Sequence, residues 1–130
     1  MTEDHGAFGH FVDLHRAADG EKGGFMTEAM AAFFGSLLGL DCARLDVLRA
    51  DGRVVAAAFG FEDDDAYYLY NSAFDPTASA VSPGIVLVDG LVQTVAASGR
   101  SRFDFLKGAE VYKRRLGAVE RPLFTLEVAP

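Results

Sequence analysis

The chain contains 130 residues, of which 50% are hydrophobic and 24% charged, and its formal net charge is −7. This length fits one domain with a continuous core, and this composition excludes disordered and fibrous proteins. The acidic balance argues against a DNA-binding protein, because such a protein presents a basic surface. No uncharged run approaches the roughly 20 residues that a membrane-spanning helix needs, so membrane insertion is not expected.

Charge is distributed unevenly along the chain. Residues 1–99 contain 5 Lys and Arg against 15 Asp and Glu, whereas residues 100–130 contain 7 against 4. The last quarter of the chain is therefore locally basic and could attract a phosphorylated ligand. Alternatively, these cations belong to a solvated helix end, where the helix dipole favours positive charge.

The single cysteine, Cys42, has no partner for an internal disulfide, and the N-terminus has no apolar run typical of a signal peptide. A cytoplasmic protein is therefore expected. His5, His10 and His15 recur every five residues. This spacing turns each by about 140° from the last on a helix, so the three share no ligand face. No metal cofactor is expected.

Two helices are predicted before the first strand. Residues 1–7 are polar and are predicted to be a loose end. Apolar residues at helical spacing predict a helix over residues 8–18, which ends at Asp19-Gly20. A second apolar face begins after Thr27, a candidate N-cap, and ends at Gly39, a candidate C-terminal stop.

The hydrophobic period then changes from 3.6 to 2, which predicts strands. Asp51-Gly52 is a tight-turn signal between strands 43–49 and 54–61, and a third strand follows over 67–74. After a loop, an apolar helix runs as far as Gly99. The remaining predicted elements are a strand over 102–106, a helix over 109–116 and a last strand over 123–128. Together they form a single α/β domain of residues 1–130, with the order α-α-β-β-β-α-β-α-β and a mostly antiparallel sheet flanked by helices.

The break before the third helix, Ser82-Pro83-Gly84, is a predicted anion site. A glycine at a helix start leaves the backbone N–H groups unobstructed, and the helix dipole favours an anion there. This geometry suits a phosphate group.

This element order, with a phosphate-suited break between the third strand and the third helix, resembles the GNAT family of N-acetyltransferases. The resemblance covers the interior of that fold, and the first strand of the family is absent from the predicted order. A series of short motifs is also similar to the CelD-like GNAT subfamily, which is associated with cellulose biosynthesis and related to Fem-type aminoacyl transferases. The similarity is to the C-terminal half of members that carry two GNAT-like halves. In chain order the motifs are Leu14-His15-Arg16, Gly24-Phe25, Asp51-Gly52-Arg53-Val54-Val55-Ala56, Ser72-Ala73-Phe74-Asp75-Pro76, Ser82-Pro83-Gly84, Phe103-Asp104-Phe105 and Gly108-Ala109-Glu110-Val111-Tyr112-Lys113.

The resemblance implies transfer of an acyl group, typically acetyl, from acetyl-CoA or another acyl-CoA to an amine of a small molecule or cell-envelope precursor. In the family, the pantetheine arm pairs with the strand before the anion loop, and the pyrophosphate binds to main-chain amides at the next helix start. The cofactor-binding residues that this implies here are Asn71, Ser72, Ala73 and Phe74 on the strand, and Ser82, Gly84, Ile85 and Val86 at the helix start. Lys107 and Lys113 could contact the phosphates or a carboxylated acceptor, and a solvated surface position is the alternative.

Three side chains are candidate catalytic residues. By resemblance, Tyr112 is the acid that protonates the leaving CoA thiolate, and its alternative role is packing of the ring with an exposed hydroxyl. Asp104 lies between Phe103 and Phe105 in a strand, so its side chain points opposite to theirs. It could deprotonate or orient the amine, or it could cap a neighbouring loop. Glu110 is a second candidate base, and it would equally complement a helix dipole.

Tyr67, Tyr68 and Tyr70 could line the acceptor pocket, or they could simply pack within the sheet. Two other functions also stay open. A non-catalytic GNAT half-domain could pair with a partner GNAT-like half or form a homodimer, because a missing first strand leaves a sheet edge open. A Fem-like aminoacyl transferase is the other, although the acidic balance offers no broad RNA-binding face.

Overall fold

A computed structural model of the chain describes residues 2–18 and 24–106. The predicted helix 109–116 and strand 123–128 lie outside the described residues. So do four of the predicted site residues, which are Lys107, Glu110, Tyr112 and Lys113.

Both helices predicted before the main strands are present. Helix α1 is Phe8–Ala17 and helix α2 is Glu28–Leu37. The predicted N-cap of α2 is confirmed, because Thr27 Oγ1 accepts a hydrogen bond from the Met30 amide at 3.2 Å. This bond satisfies one of the amides that a helix start leaves unpaired.

In the described part of the chain, the sheet has five strands in the order β1-β2-β3-β4-β5. Strands β1 to β4 pair with one another in antiparallel fashion, and β5 runs parallel to β4. The strands are β1 Thr2–Glu3, β2 Ala43–Ala50, β3 Arg53–Glu62, β4 Ala66–Phe74 and β5 Arg102–Asp104.

Strand β1 corrects the expectation of a loose end and of no strand before the first helix. Thr2 pairs with Val47, and the Asp4 amide donates to the Leu45 carbonyl at 2.9 Å. The pairing covers the middle of β2. Two residues are too few to show a period of 2, so the sequence pattern carries no signal for this strand.

Helix α3 is Pro83–Ala97, and a 3-10 segment, Pro76–Val81, joins it to β4. It packs on one face of the sheet, while α1 and α2 pack on the other, so the sheet has a core on each side. The α1–α2 core includes Phe11, Phe34, Leu45, Phe59 and Ala73. The α3 core includes Ala58, Tyr67, Leu69, Leu87 and Leu91.

The predicted fold class, a mixed α/β fold with a mostly antiparallel sheet flanked by helices, is confirmed. Strand β5 is shorter than predicted and ends at Asp104 rather than at Leu106. Within residues 2–18 and 24–106, no helix is both long and apolar enough to cross a membrane.

Candidate functional site

The start of α3 presents main-chain amides in the predicted region. Ser82 occupies the N-cap position in a left-handed conformation, with φ of 47°, and its side chain makes no capping bond. Pro83 has no amide hydrogen, so the next unpaired positions belong to Gly84 and Ile85. The Val86 amide donates to the Ser82 carbonyl at 3.1 Å. Two of the three predicted amides, those of Gly84 and Ile85, therefore remain for an anion.

No acidic side chain lies in the first turn of α3. The positive end of the helix dipole is thus not offset there by a local carboxylate. Gly84 also lies against the end of β4, since a Cβ at its position would be 3.4 Å from Phe74 Cδ1. The predicted phosphate-binding amides therefore adjoin the predicted pantetheine-binding strand.

Strands β4 and β5 pair over only three residues each. Ala66, Tyr67 and Tyr68 lie opposite Arg102, Phe103 and Asp104. Beyond Tyr68, no described strand pairs with residues 69–74 on the side away from β3. We call the gap that opens there, between residues 69–74 of β4 and the end of β5, the cleft. It runs along backbone groups that need a hydrogen-bond partner and ends at the start of α3.

A β-bulge marks the point where the cleft begins. Phe59 pairs with Asn71 and Gly60 pairs with Leu69, so Tyr70 is the extra residue of β4. Such a bulge bends the strand and increases its local twist. The isolated glycine within a strand, Gly60, is the sequence signal that could have indicated this bulge.

Gly60 has a second reason to be glycine. A Cβ at this position would lie 2.5 Å from both Tyr67 Cζ and the Tyr68 carbonyl oxygen. Real Cβ atoms do not approach so closely, and a backbone carbonyl cannot move aside as a flexible side chain can. Gly60 thus lets β3 and β4 approach each other next to the bulge.

The three tyrosines of β4 have different surroundings. Tyr67 is buried in the α3 core, so it is not positioned to line an acceptor pocket. Tyr68 shares a face with Phe61 by register, and its hydroxyl donates to Asp63 Oδ2 at 3.0 Å. Tyr70 is exposed and packs against the rings of Phe34 and Phe61 on the α1–α2 side.

Asp104 lies at the narrow end of the cleft, opposite Tyr68. Phe103 and Phe105 pack against the α3 core, which confirms that the Asp104 side chain points to the other face. The side chain is half-buried, and its Oδ1 accepts a hydrogen bond from the Leu106 amide at 2.7 Å. Of the two roles considered for Asp104, this contact favours the one in which it caps the adjoining chain.

Two cations of the basic C-terminal region lie at the β3–β4 turn. Arg102 donates to the Tyr68 hydroxyl at 3.1 Å, and Arg100 donates to the Asp63 carbonyl at 2.7 Å. The amides of Asp65 and Ala66 donate hydrogen bonds to the Asp63 carboxylate. These bonds, first that of Asp65 and then that of Ala66, are the main reason that the pKa of Asp63 lies below its usual value. Both arginines therefore help to hold the turn.

No group of three or more His, Cys, Asp or Glu side chains that could hold a metal ion is found in the described part of the chain. Cys42 is exposed. The described site is thus built from main-chain amides, an unpaired strand edge and a few polar side chains.

These features define a class of α/β protein whose sheet separates between two parallel strands, with the amide-rich start of a helix beside the opening. A family model described as "Acetyltransferase (GNAT) domain" matches residues 1–114. The chain therefore belongs to the GNAT acetyltransferase family, and the resemblance found in the sequence is confirmed at that level.

Solved structures share this fold over nearly the whole chain. The ribosomal-protein-alanine N-acetyltransferase of Brucella melitensis biovar Abortus 2308 has a TM-score of 0.69 and 14% identity, with 98% of this chain and 97% of that chain covered. The structure of AAC(6')-Iy, solved with the bisubstrate analogue CoA-S-monomethyl-acetylneamine, also has a TM-score of 0.69 and 14% identity, with 98% of this chain and 97% of that chain covered. The aminoglycoside acetyltransferase meta-AAC0020 from an uncultured soil metagenomic sample, solved with trehalose, has a TM-score of 0.64 and 15% identity, with 96% and 91% covered. No curated protein sequence matches the chain.

Proposed function

We propose that this protein is an acyl-CoA-dependent N-acetyltransferase that binds its cofactor along the cleft. The observation that carries the proposal is the continuity of the unpaired edge of β4 with the free amides of Gly84 and Ile85. An extended amide-containing arm can pair with a strand edge, and a pyrophosphate fits a helix start. Acyl-CoA joins these two chemical groups in one molecule.

The structure of AAC(6')-Iy with a CoA bisubstrate analogue supports this placement by fold alone, because the two chains share only 14% identity. The described residues would bind and orient the acyl donor. Asn71 to Phe74 offer backbone groups to the pantetheine arm, and Phe74 and Ile85 are exposed apolar side chains beside the phosphate-binding amides. Acetyl-CoA supplies the activated acyl group, and holding it in place removes much of the entropic cost of the reaction.

The acid–base groups of the reaction remain proposals. Tyr112 would protonate the thiolate as it leaves, and Lys107 and Lys113 would contact phosphates. Glu110 would serve as a base in place of Asp104, whose Oδ1 is already hydrogen-bonded to the Leu106 amide. An incoming amine must lose a proton to become a neutral amide, so some base is required on the acceptor side.

The acceptor is proposed to be a primary amine. Two neighbours are named for amine acceptors, one an alanine of a ribosomal protein and the other an aminoglycoside. Membership of the CelD-like and Fem-related subfamily is a further proposal that rests on the sequence motifs. A cytoplasmic location is also a proposal, and it rests on the single cysteine, Cys42. The expectation of a homodimer rests on a missing first strand, and β1 is present at that edge of β2.

A thermal-shift measurement with acetyl-CoA tests the function. A ligand that binds only the folded state raises the free energy of unfolding, by about 2.7 kcal/mol at a hundred times its Kd. We expect acetyl-CoA and CoA to raise the Tm, and acetyl-CoA to be consumed when a panel of amines is added. No shift at millimolar concentration would contradict the proposal and favour the non-catalytic half-domain.

Gly84→Asp is the sharpest variant for this test. It places a carboxylate where a phosphate would bind, so we expect it to abolish the shift given by acetyl-CoA. Gly9→Asp is the matched control, because Gly9 is likewise the second residue of a helix and a Cβ there meets no atom within 4 Å. Both variants complement a helix dipole equally, so loss of the shift in both would point to a general effect on the fold.

A further inference from the structure

The pairing of β5 with β4 stops at Asp104. The Arg102 amide donates to the Asp65 carbonyl at 3.2 Å. Amides on one side of a strand recur every second residue, so the next donors toward β4 belong to Asp104 and Leu106. In the register of this pair, the Leu106 amide would meet the Leu69 carbonyl if the ladder continued.

The Leu106 amide does not continue the ladder, because it donates to Asp104 Oδ1 at 2.7 Å. Leu106 also has a left-handed backbone, with φ of 60°. Residues other than glycine rarely adopt this conformation, because their Cβ then lies too close to the following carbonyl oxygen. The side-chain bond therefore removes the Leu106 amide from the ladder with β4, and the left-handed backbone of Leu106 departs from the extended conformation of a strand.

We propose that Asp104 is a positioning residue that keeps the cleft open. Its carboxylate accepts the amide that would otherwise bind the Leu69 carbonyl, and this leaves the edge of β4 from Leu69 onward for the pantetheine arm. The function of Asp104 is then to accept one hydrogen bond, and neither its negative charge nor its basicity is required. This inference rests on the proposed acyl-CoA binding, and it assigns the residue a part other than that of the base.

Substitutions that keep or remove the acceptor separate the two roles. Asp104→Asn keeps an oxygen that can accept from the Leu106 amide, Asp104→Ser supplies a weaker acceptor, and Asp104→Ala supplies none. We expect the Kd for CoA, measured by calorimetry, to rise by about tenfold in Asp104→Ala and by a smaller factor in Asp104→Ser. Asp104→Asn should bind CoA within about twofold of the unmodified protein.

Turnover distinguishes positioning from base catalysis. A lost general base lowers kcat by roughly a hundredfold or more and changes the pH profile. We instead expect Asp104→Asn to keep its kcat and pH profile, and Asp104→Ala to raise the KM for acetyl-CoA more than it lowers kcat. Asp4→Ala is the control, because the Gly6 amide donates to Asp4 Oδ1 at 3.0 Å in a turn of the same spacing at the far edge of the sheet. Asp4 also pairs with Arg49 at 2.9 Å, so this variant removes at least as many contacts as Asp104→Ala.

Several outcomes would overturn the inference. These are a Kd for CoA in Asp104→Ala equal to that of the unmodified protein, an Asp104→Asn variant as impaired as Asp104→Ala, or an equal effect of Asp4→Ala. If Asp104→Ala does not fold, as judged by circular dichroism, the comparison of Asn with Ser decides.

A measurement without ligand keeps the inference separate from the proposed function. A left-handed residue gives a strong NMR cross-peak between its own amide and Hα protons, and we expect this for Leu106 in the unmodified protein and in Asp104→Asn. The cross-peak should weaken in Asp104→Ala. If the unmodified protein binds no CoA, the proposed function fails. The cross-peak still shows whether Asp104 sets the backbone conformation of Leu106. An unchanged cross-peak in Asp104→Ala would refute that role.

Discussion

At the scale of single residues, the buried Tyr67 hydroxyl bears on the stability of the fold. The side chain is fully buried, and its hydroxyl has no hydrogen-bond partner among the residues the structure describes. Burial, and to a lesser degree the nearby Asp46 carboxylate, raise the pKa of Tyr67 well above its usual value. A neutral buried hydroxyl without a partner lowers stability, because water would have bonded it in the unfolded chain.

We therefore expect Tyr67→Phe to raise the free energy of unfolding by about 1 kcal/mol. Urea denaturation measures the change. Tyr68→Phe is the matched control, since it removes a hydroxyl that is bonded to Asp63 and Arg102, and it should give no gain. A less stable Tyr67→Phe protein would mean that the hydroxyl makes a bond worth keeping.

The predictability of individual residues depends on the range of the contacts involved. The Thr27 cap could be predicted because its partner, Met30, is three residues away. The proposed role of Gly84 in anion binding could be inferred from the sequence, because it depends only on the position of this glycine at a helix start. The close approach of the strands at Gly60 could not be predicted, because it depends on the position of β4. Capping by Asp104 was one of its two predicted roles, and what could not be predicted is that this bond falls where the pairing of β4 with β5 stops.

At the scale of elements, an ion pair on β2 joins three strands. Asp46 is fully buried, and its two oxygens accept from Arg44 Nε at 2.6 Å and Nη2 at 2.9 Å. Arg44 also lies 3.5 Å from Glu62 of β3 and 3.9 Å from Glu3 of β1. The bond to Asp46 is the main reason that the pKa of Arg44 is raised.

Arg44→Met should destabilise the protein by about 3–5 kcal/mol, because it leaves the Asp46 carboxylate buried without its partner. Adding Asp46→Leu to that variant should recover most of the loss, since no charge then remains unpaired. Urea denaturation of the single and double variants measures both effects. Arg53→Met is the control, because Arg53 is exposed in its pair with Asp75 and should cost less than about 1 kcal/mol.

If Arg44→Met and Arg53→Met had equal effects, the buried Arg44–Asp46 pair would stabilise the protein no more than an exposed ion pair does.

Strands were predicted well where their hydrophobic pattern is long. Strands β2, β3 and β4 carry runs of eight or more residues and show their period clearly. Strand β1 has two residues and therefore shows no period in the sequence. The bulge at Tyr70 shifts the alternation of β4 by one, and its only sequence signal is the isolated glycine opposite, Gly60.

At the scale of the whole molecule, the charge is arranged so that its ends differ. Residues 1–99 carry a balance of −10 and residues 100–130 a balance of +3. The described members of the second group, Arg100 and Arg102, lie at the β3–β4 turn, and its other five cations lie outside the described residues. We expect this basic group as a whole to attract a phosphorylated ligand despite the acidic total.

Salt should reveal this attraction. Raising NaCl from about 0.01 M to about 0.1 M shortens the Debye length from roughly 30 Å to 10 Å, so the KM for acetyl-CoA should rise several-fold. Acetyl-pantetheine lacks the phosphates and should show little change in KM, which makes it the control. Equal salt dependence for the two donors would show that the local basic charge does not contribute to cofactor binding.

The connection between β4 and β5 has a consequence for the order in which the molecule assembles. Short turns join β2, β3 and β4, so these strands can pair soon after each forms. Strand β5 reaches β4 only after the chain has passed through residues 75–101, which include the whole of α3. Closing so long a loop costs entropy before any contact repays it. The cleft lies between β4 and β5, the two strands that pair last. Strands β2, β3 and β4 can therefore be paired before the proposed cofactor site is complete.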